Sequence, residues 1–182
     1  MLHKGQIIQI PQNSAIYQKE EPPFKTLKEE LLWKYHQYQY TLFDGFLLDG
    51  HDGLENYQYG QRRGIIKRGT KEPLYVIGKD YKNQRLYVGG GTNHPGLWRD
   101  FLVFKTDQIN WVKDYKKLEP EIKANGIKVD YKPDNDTGNL SAVLILIEDM
   151  VFLKFKEPVY IGLQDQSGTI YGENEVLLRI LR

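Results

Sequence analysis

Cysteine is absent from this sequence of 182 residues. That absence excludes a disulfide framework, a thiolate nucleophile and a zinc site built on thiolates. Long apolar runs are absent too. The longest, AVLILI at Ala142–Ile147, is far shorter than the roughly 20 residues of a membrane span. The first residues, MLHKGQIIQIPQ, lack the continuous apolar stretch of a secretion signal. These absences favour a soluble protein of the cytoplasm.

The sequence has almost no net charge, since 25 Lys and Arg offset 24 Asp and Glu to leave +1. The electric field of the whole molecule is therefore weak, and nucleic-acid binding would have to come from a local basic surface. Aromatic residues, in contrast, are abundant, with 13 Tyr, 7 Phe and 3 Trp. Tyrosine prefers half-buried pleated surfaces, so this composition favours strands.

Short strand-like segments follow one another from residue 42 onward, each bounded by Gly, Asn, Asp or Pro. Turn signals at intervals of roughly 8–12 residues are typical of a β-sandwich or β-barrel. Two hairpins are predicted, with turns at Tyr81–Gln84 and Glu148–Asp149. Upstream, Pro22 and Pro23 precede apolar residues at helical spacing, which predicts one amphipathic helix over about 25–39.

The predicted fold class is therefore mainly β with one N-terminal helix. That helix either covers a sheet face or barrel end, or binds a partner. The absence of β–helix–β alternation argues against the parallel sheet of a nucleotide-binding domain. Lysines interrupt the apolar pattern near residues 113–117, before Pro120. The predicted organisation is an N-terminal strand and helix segment, a central β-domain and a C-terminal β-domain, at 1–41, 42–110 and 111–182.

Four patterns invite a catalytic or metal-binding interpretation, and none meets the requirements of its motif. GGGTNHPG at Gly89–Gly96 is not followed by the helix that a phosphate loop needs. DGFLLDGHDGLE at Asp44–Glu55 lacks the register of a calcium loop. The histidines share no metal-ligand spacing, and the serines sit in no nucleophile elbow. The sequence predicts glycine-rich turns in the first two segments, and no metal, cofactor or catalytic residue.

YGQRRGIIKRG at Tyr59–Gly69 is strongly basic. Its four cations, together with Lys71, put five positive charges and no acid between Gly60 and Lys71. Charges this close repel one another, so the segment is either a solvated loop or is neutralised by an anionic partner. Arginine forks onto phosphate, and tyrosine stacks on unpaired bases. The predicted RNA-binding residues are Tyr57, Tyr59, Gln61, Arg62, Arg63, Lys67, Arg68 and Lys71.

The segment 53–97 resembles the central part of the tRNA 2-thiouridylase family, enzymes that place sulfur on the wobble uridine of certain tRNAs. The family pattern reads Gly-Leu-x-x-Tyr-Thr-Ile-Gly-Gln-Arg-(Arg/Lys)-Gly, and Gln58 and Tyr59 replace its Thr-Ile pair. Pro-x-Tyr-Val, a Lys-Asp hairpin and His-Pro-x-Leu follow. The matching residues are Gly53, Leu54, Tyr57, Gly60, Gln61, Arg62, Arg63, Gly64, Pro73, Tyr75, Val76, Lys79, Asp80, His94, Pro95 and Leu97.

The resemblance implies a small central β-domain of the PRC-barrel type from about residue 42, followed by a six-stranded type of C-terminal β-barrel. It continues more faintly through GQIIQIP upstream, INWV at Ile109–Val112 and the closing segment KEPVYIGLQDQSGTIYGENEVLL. This expectation agrees with the strand spacing of the sequence itself.

Departures from the family pattern bear on function. The Ser-Gly-Gly-x-Asp-Ser loop that adenylates the uridine is absent, and we expect the chain to begin after that domain. The family's upstream cysteine falls near Gln9, whose amide carries no persulfide. The usual Arg-Tyr of the barrel is Asp130-Tyr131, and Leu177, Leu178 and Arg179 replace a glycine-rich tail.

Three functional hypotheses follow. The favoured one is a catalytically inert, stand-alone relative of the central and C-terminal domains that binds tRNA or a similar RNA as an accessory to wobble-uridine modification. The second is a protein-interaction scaffold in a tRNA-modification or sulfur-relay complex, favoured by the near-neutral charge, Asp130 and the aromatic-rich helix. The third is one half of a split thiouridylase whose nucleotide and thiol chemistry comes from another chain.

Overall fold

A computed structural model describes residues 4–65, 72–112, 114–135, 138–173 and 175–181. The chain forms two compact units. The first consists of Met1–Phe24, Leu32–Arg99 and Tyr160–Gly162, and the second of Lys25–Leu31, Asp100–Val159 and Leu163–Arg182. Within these described ranges the α-helices are α1 (Leu27–Gln37) and α2 (Glu119–Ala124).

A four-stranded sheet organises the first unit. Its strands are β1 (Gly5–Ile10), β2 (Phe46–His51), β3 (Leu74–Asp80) and β4 (Arg85–Gly90). They lie in the order β2-β1-β4-β3, so β1 is a central strand. Its pairing with β2 is antiparallel and its pairing with β4 is parallel. The parallel pair joins segments far apart in sequence, which is why no local pattern predicted it.

The central strand explains why GQIIQI is so apolar. Successive side chains of a strand point to opposite faces. Ile7 packs with residues such as Val76 and Val88 on one face, whereas Ile8 and Ile10 pack in a second cluster that includes Tyr87. All three isoleucines are fully buried. The sheet therefore carries apolar side chains on both faces.

The hairpin predicted at Tyr81–Gln84 is confirmed. Strands β3 and β4 pair antiparallel, with Asp80 opposite Arg85. The Asp80 carboxylate accepts the backbone N–H of Asn83 at 3.0 Å, and Gln84 takes the left-handed φ of 53°. Among the strand-like segments that the sequence shows after residue 42, LENYQYG forms no strand; its first residues form a 3₁₀ turn at Leu54–Asn56, which follows Gly53 at φ 141°.

A curled seven-stranded sheet forms the second unit. Along the chain its strands are β5 (Trp98–Lys105), β6 (Ile109–Trp111), β7 (Ile127–Pro133), β8 (Leu140–Ile147), β9 (Met150–Tyr160), β10 (Gly168–Gly172) and β11 (Glu175–Ile180). Their order in the sheet is β5-β9-β8-β7-β10-β11-β6. The hairpin predicted at Glu148–Asp149 is confirmed, since Ile147 pairs with Met150.

The inner face of this sheet encloses one core. Val129, Leu144 and Leu153 contribute from three adjacent strands, and Ile122 of α2 packs into the same cluster. The mainly β fold class is confirmed, and the helix predicted over about 25–39 is α1. The differences are seven strands where six were expected, because the short β6 pairs with β11, and the unpredicted α2.

The boundaries of the two compact units differ from the boundaries of the predicted segments. Strand β1 is hydrogen-bonded between β2 and β4, so the strand of the N-terminal segment belongs to the first unit, whereas Lys25–Leu31 is assigned to the second. The second unit takes over at Asp100, because β5 and β6 both belong to the seven-stranded sheet.

A three-membered ion network lies within the second unit. The Lys154 ammonium contacts the carboxylates of Glu30 and Asp100, with its contact to the Glu30 oxygen at 2.8 Å. All three side chains are largely buried. Two residues along β9, Lys156 is exposed.

Neither helix among the described residues has the length and apolarity needed to cross a membrane.

Candidate nucleic-acid interface

The segment Tyr57–Ile65, called the basic loop below, is hydrogen-bonded to the edge of the four-stranded sheet. The Gly60 N–H donates to the Val76 carbonyl at 2.8 Å, and the Val76 N–H donates to the Gln61 carbonyl at 3.0 Å. Val76 belongs to β3, which is an edge strand. The backbone immediately before the two arginines is therefore fixed by two backbone hydrogen bonds to strand β3.

The Tyr160 side chain also holds the loop backbone at Gly60. Its hydroxyl donates to the Gly60 carbonyl at 2.7 Å. Gly60 has a φ of 74°, and a Cβ placed there would lie 2.5 Å from the Tyr160 hydroxyl oxygen. Burial, and then the neighbouring Tyr75, raise the pKa of Tyr160, so the phenol keeps the proton that it donates. Glycine is required at position 60 by both conformation and space.

The Gln61 side chain forms two hydrogen bonds with the backbone of the basic loop. Its Oε1 accepts the Gln58 N–H at 2.9 Å, and its Nε2 donates to the Arg63 carbonyl at 2.7 Å. Both ends of the amide are thus engaged within the loop. Gln61 shapes the loop backbone in this structure, and its contact with RNA stays a prediction.

Arg62 and Arg63 are exposed, as are Gln58 and Gly64 of the same loop. Neither guanidinium forms an ion pair with a carboxylate of the described residues. Directly after them Ile65 is buried among Leu54, Val88 and their neighbours. The chain therefore presents two adjacent guanidinium groups between a hydrogen-bonded anchor at Gly60 and an apolar anchor at Ile65.

The two predicted stacking tyrosines already have partners inside their own unit. Tyr57 is half-buried and lies edge-on to His51, with ring centroids 5.9 Å apart. Burial, followed by Asp52 and Asp49, raises its pKa. Tyr59 is also half-buried, and the Lys79 ammonium lies over its ring at 5.1 Å from the centroid. Stacking of either ring on RNA bases stays a prediction.

The remaining predicted contacts, Lys67, Arg68 and Lys71, lie outside the described residues. The structure thus brings together Tyr57, Tyr59, Gln61, Arg62 and Arg63 on one loop.

Sequence reasoning missed an exposed tryptophan next to this loop. Trp98 is 45% exposed, and its ring packs edge-on against Tyr160 with centroids 5.7 Å apart. The Trp98 Nε1–H donates to the Thr92 carbonyl at 3.2 Å, which holds the indole in one orientation. The only sequence signal was its place after HPGL; the contact with Tyr160 spans a distance along the chain that no local pattern reveals.

Two buried histidines, His51 and His94, form the same pair of hydrogen bonds with the backbone. The Nδ1 atoms of His51 and His94 accept the N–H of Gly53 and Gly96, each at 3.1 Å. Their Nε2 atoms face the carbonyls of Gln84 and Ile10 at 3.1 and 2.9 Å. An accepting Nδ1 and a donating Nε2–H define a neutral ring. Within the described ranges, no three His, Asp or Glu side chains are grouped to hold a metal ion.

His94 is expected to make stability fall in acid. Burial lowers its pKa below 6.5, so the unfolded chain takes up a proton that the folded chain resists. The stabilisation is complete above about pH 6.5 and is lost as the pH falls below that value. Urea unfolding at about pH 7.5 and about pH 5 measures this. His94→Gln should cost about 1–2 kcal/mol at the higher pH and less at the lower. A pH-independent difference between the two proteins would contradict this origin.

Comparisons with known proteins converge on one family. The tRNA methyl transferase PRC-barrel domain family matches residues 29–90. The tRNA-specific 2-thiouridylase MnmA of Flavobacterium johnsoniae is 30% identical over 175 residues, covering 96% of this chain and 43% of that protein. The MnmA of Christiangramia forsetii is 34% identical over 110 residues, which cover 60% of this chain and 28% of that protein. The MnmA of Karelsulcia muelleri is 35% identical over 120 residues, which cover 66% of this chain and 29% of that protein. The chain thus spans less than half the length of these relatives.

Proposed function

Because this chain belongs to the tRNA 2-thiouridylase family and corresponds to its central and C-terminal β-domains, we propose that it binds tRNA, or a similar RNA, through the basic loop. The proposal includes an accessory role in wobble-uridine modification, in the cytoplasm. The observation that carries it is the pair of exposed guanidinium groups of Arg62 and Arg63 on a loop anchored at both ends.

The anchoring favours an anion-binding role over a merely solvated loop. A solvated loop needs no fixed backbone, whereas Gly60 is held by Val76 and by the Tyr160 hydroxyl. Holding the backbone reduces the conformational entropy lost when a ligand binds. Arginine also presents donors in a planar fork that matches phosphate. The loop is therefore suited to phosphate contacts, and the chain's net charge of +1 keeps that attraction local.

We assign no bond-making step to these residues. The sequence contains no cysteine, so no thiol of this chain carries sulfur. Under this proposal the chain is catalytically inert and contributes RNA docking. In a split enzyme the same docking would operate, with nucleotide and thiol chemistry supplied by a partner.

Removing the two arginines is expected to reduce the salt dependence of RNA binding. Each neutralised phosphate contributes about 0.7–0.9 to the log–log slope of affinity against salt concentration. Arg62→Ala with Arg63→Ala should therefore lower the slope by about 1.4–1.8. Fluorescence anisotropy of labelled tRNA, titrated at several salt concentrations, measures both affinity and slope.

A charge-matched control is available in the second unit. Lys116 and Lys117 are also adjacent and exposed, and replacing both with alanine removes the same charge. That variant should keep the wild-type slope. Absence of tRNA binding at low salt would contradict the proposal, as would equal slopes in the two double variants.

A second candidate, the protein-interaction scaffold, is favoured by the edge strand β2. Phe43, just before it, is 94% exposed, and Phe46 and Leu47 within it are exposed as well. Exposed apolar residues on a sheet edge are typical of pairing surfaces. A defined sulfur-relay or tRNA-modification protein that binds after nuclease treatment, and is lost on Phe46→Lys, would promote this function over RNA binding.

A further inference from the structure

Trp98 has a solvent-accessible ring that neither the fold nor the proposed phosphate contacts explain. Tryptophan is on average a highly buried residue, and burying its large surface stabilises a protein core. Trp98 nevertheless stays 45% exposed. Its Nε1–H is satisfied by the Thr92 carbonyl, so the exposed surface has no polar group of its own to solvate. An exposed, oriented apolar ring of this kind is a stacking surface.

Tyr160 joins this ring to the basic loop. One side of Tyr160 packs edge-on against Trp98, and its hydroxyl donates to Gly60, two residues before Arg62. Trp98, Tyr160 and Gly60 all belong to the first compact unit. Tyr160 therefore contacts both the exposed ring of Trp98 and the loop that carries the two guanidinium groups.

We propose that Trp98 stacks on one unpaired base of the RNA whose phosphates contact Arg62 and Arg63. The site then selects single-stranded or looped RNA over uninterrupted duplex, because a base inside a duplex is already stacked on its neighbours. This inference rests on the proposed function, which supplies the phosphate contacts. It assigns the base contact to a residue outside the basic loop.

The other aromatic residues near the loop are less suited to this role. Tyr57 is half-buried against His51, and Tyr59 lies under the Lys79 ammonium. Tyr81 is 61% exposed and lies in the turn between β3 and β4. Trp98 combines exposure with a connection to Gly60, and Tyr81 provides a matched control.

Replacing Trp98 should lower the affinity for RNA but leave the dependence of affinity on salt concentration unchanged, because no charge is removed. For one base, Trp98→Ala is expected to weaken binding by roughly 5- to 150-fold. The probe is a fluorescein-labelled RNA hairpin with an unpaired loop, compared by anisotropy with a blunt duplex of the same stem sequence. The loss should affect the hairpin and leave duplex binding unaltered. Trp98→Phe should keep most of the affinity, and Tyr81→Ala all of it.

Fluorescence gives a second readout that a loss of folding does not imitate. Replacing Trp33 and Trp111 with phenylalanine leaves Trp98 as the one tryptophan of the three. Its emission should be quenched when the hairpin binds and should not change when the duplex binds. Urea unfolding of Trp98→Ala and Trp98→Phe confirms that the proteins compared are folded.

The outcomes separate this inference from the proposed function. If the hairpin binds with a slope set by Arg62 and Arg63 but Trp98→Ala and the emission are without effect, base stacking is overturned and phosphate binding stands. Equal affinity of wild-type protein for hairpin and duplex overturns the selectivity in the same way. If neither RNA binds at low salt, the proposed function fails, and stacking with it.

Discussion

Gly60→Ala is expected to lower the free energy of unfolding by about 2–4 kcal/mol, the sum of a left-handed backbone penalty and an overpacking penalty. Gly60 has a φ of 74°, which disfavours any residue with a Cβ. The added methyl would also lie 2.5–2.7 Å from three atoms of the Tyr160 side chain. Because the Tyr160 hydroxyl and the Val76 backbone fix the loop, it has little freedom to move away. Urea unfolding followed by circular dichroism measures the change.

Gly64→Ala separates the two causes. Gly64 has the same φ of 74°, but the nearest atom to its added Cβ is the Gln61 Nε2 at 4.0 Å. This variant should lose about 1–2 kcal/mol, the backbone penalty alone. Equal losses at the two positions would show that the Tyr160 ring does not constrain Gly60.

Lys154→Ala is expected to destabilise the protein by about 2 kcal/mol, since removing one member of a largely buried ion network is costly. The ammonium contacts the carboxylates of both Glu30 and Asp100, and the lysine side chain is only 19% exposed. Without Lys154 the two acids keep their desolvation and lose the favourable interaction with this ammonium. Thermal and urea unfolding of the variant measure the loss.

Lys156→Ala is the matched control on the same strand. Lys156 is exposed, so its removal should change stability by less than about 0.5 kcal/mol. Adding Asp100→Asn to Lys154→Ala should recover part of the loss, because one of the two carboxylates that the ammonium contacted is then neutral. A loss that Asp100→Asn leaves untouched would point to side-chain packing as its cause.

Local sequence signals predicted two hairpins and the longer helix of this chain, although they missed α2. The β3–β4 and β8–β9 hairpins span only a few residues, and their turn residues identify them. Helix α1 follows from the spacing of apolar residues after Pro22 and Pro23. In each case the residues that pair or pack are close in sequence, so a short window contains the whole signal.

Contacts between distant segments were not predictable in the same way. The parallel pairing of β1 with β4 joins Gln6 to Arg85, and no short window contains both. At the candidate site, charge density identified Arg62 and Arg63. Composition, however, did not reveal that Tyr160 holds Gly60 or that Trp98 packs beside it. A residue's role at this site depends on neighbours that only the folded chain provides.

The central position of β1 has a consequence for the order of folding. During synthesis β1 emerges before its parallel partner β4, which follows some 80 residues later, and Gln12 bonds to Gly90 across a separation of 78 positions. Tyr160 follows Gly60 by 100 positions. A nascent chain that ends between Gly60 and Tyr160 therefore contains Arg62 and Arg63 but lacks the hydroxyl that holds Gly60. High contact order slows folding, so we expect the basic loop to reach its final conformation only after Tyr160 has been translated.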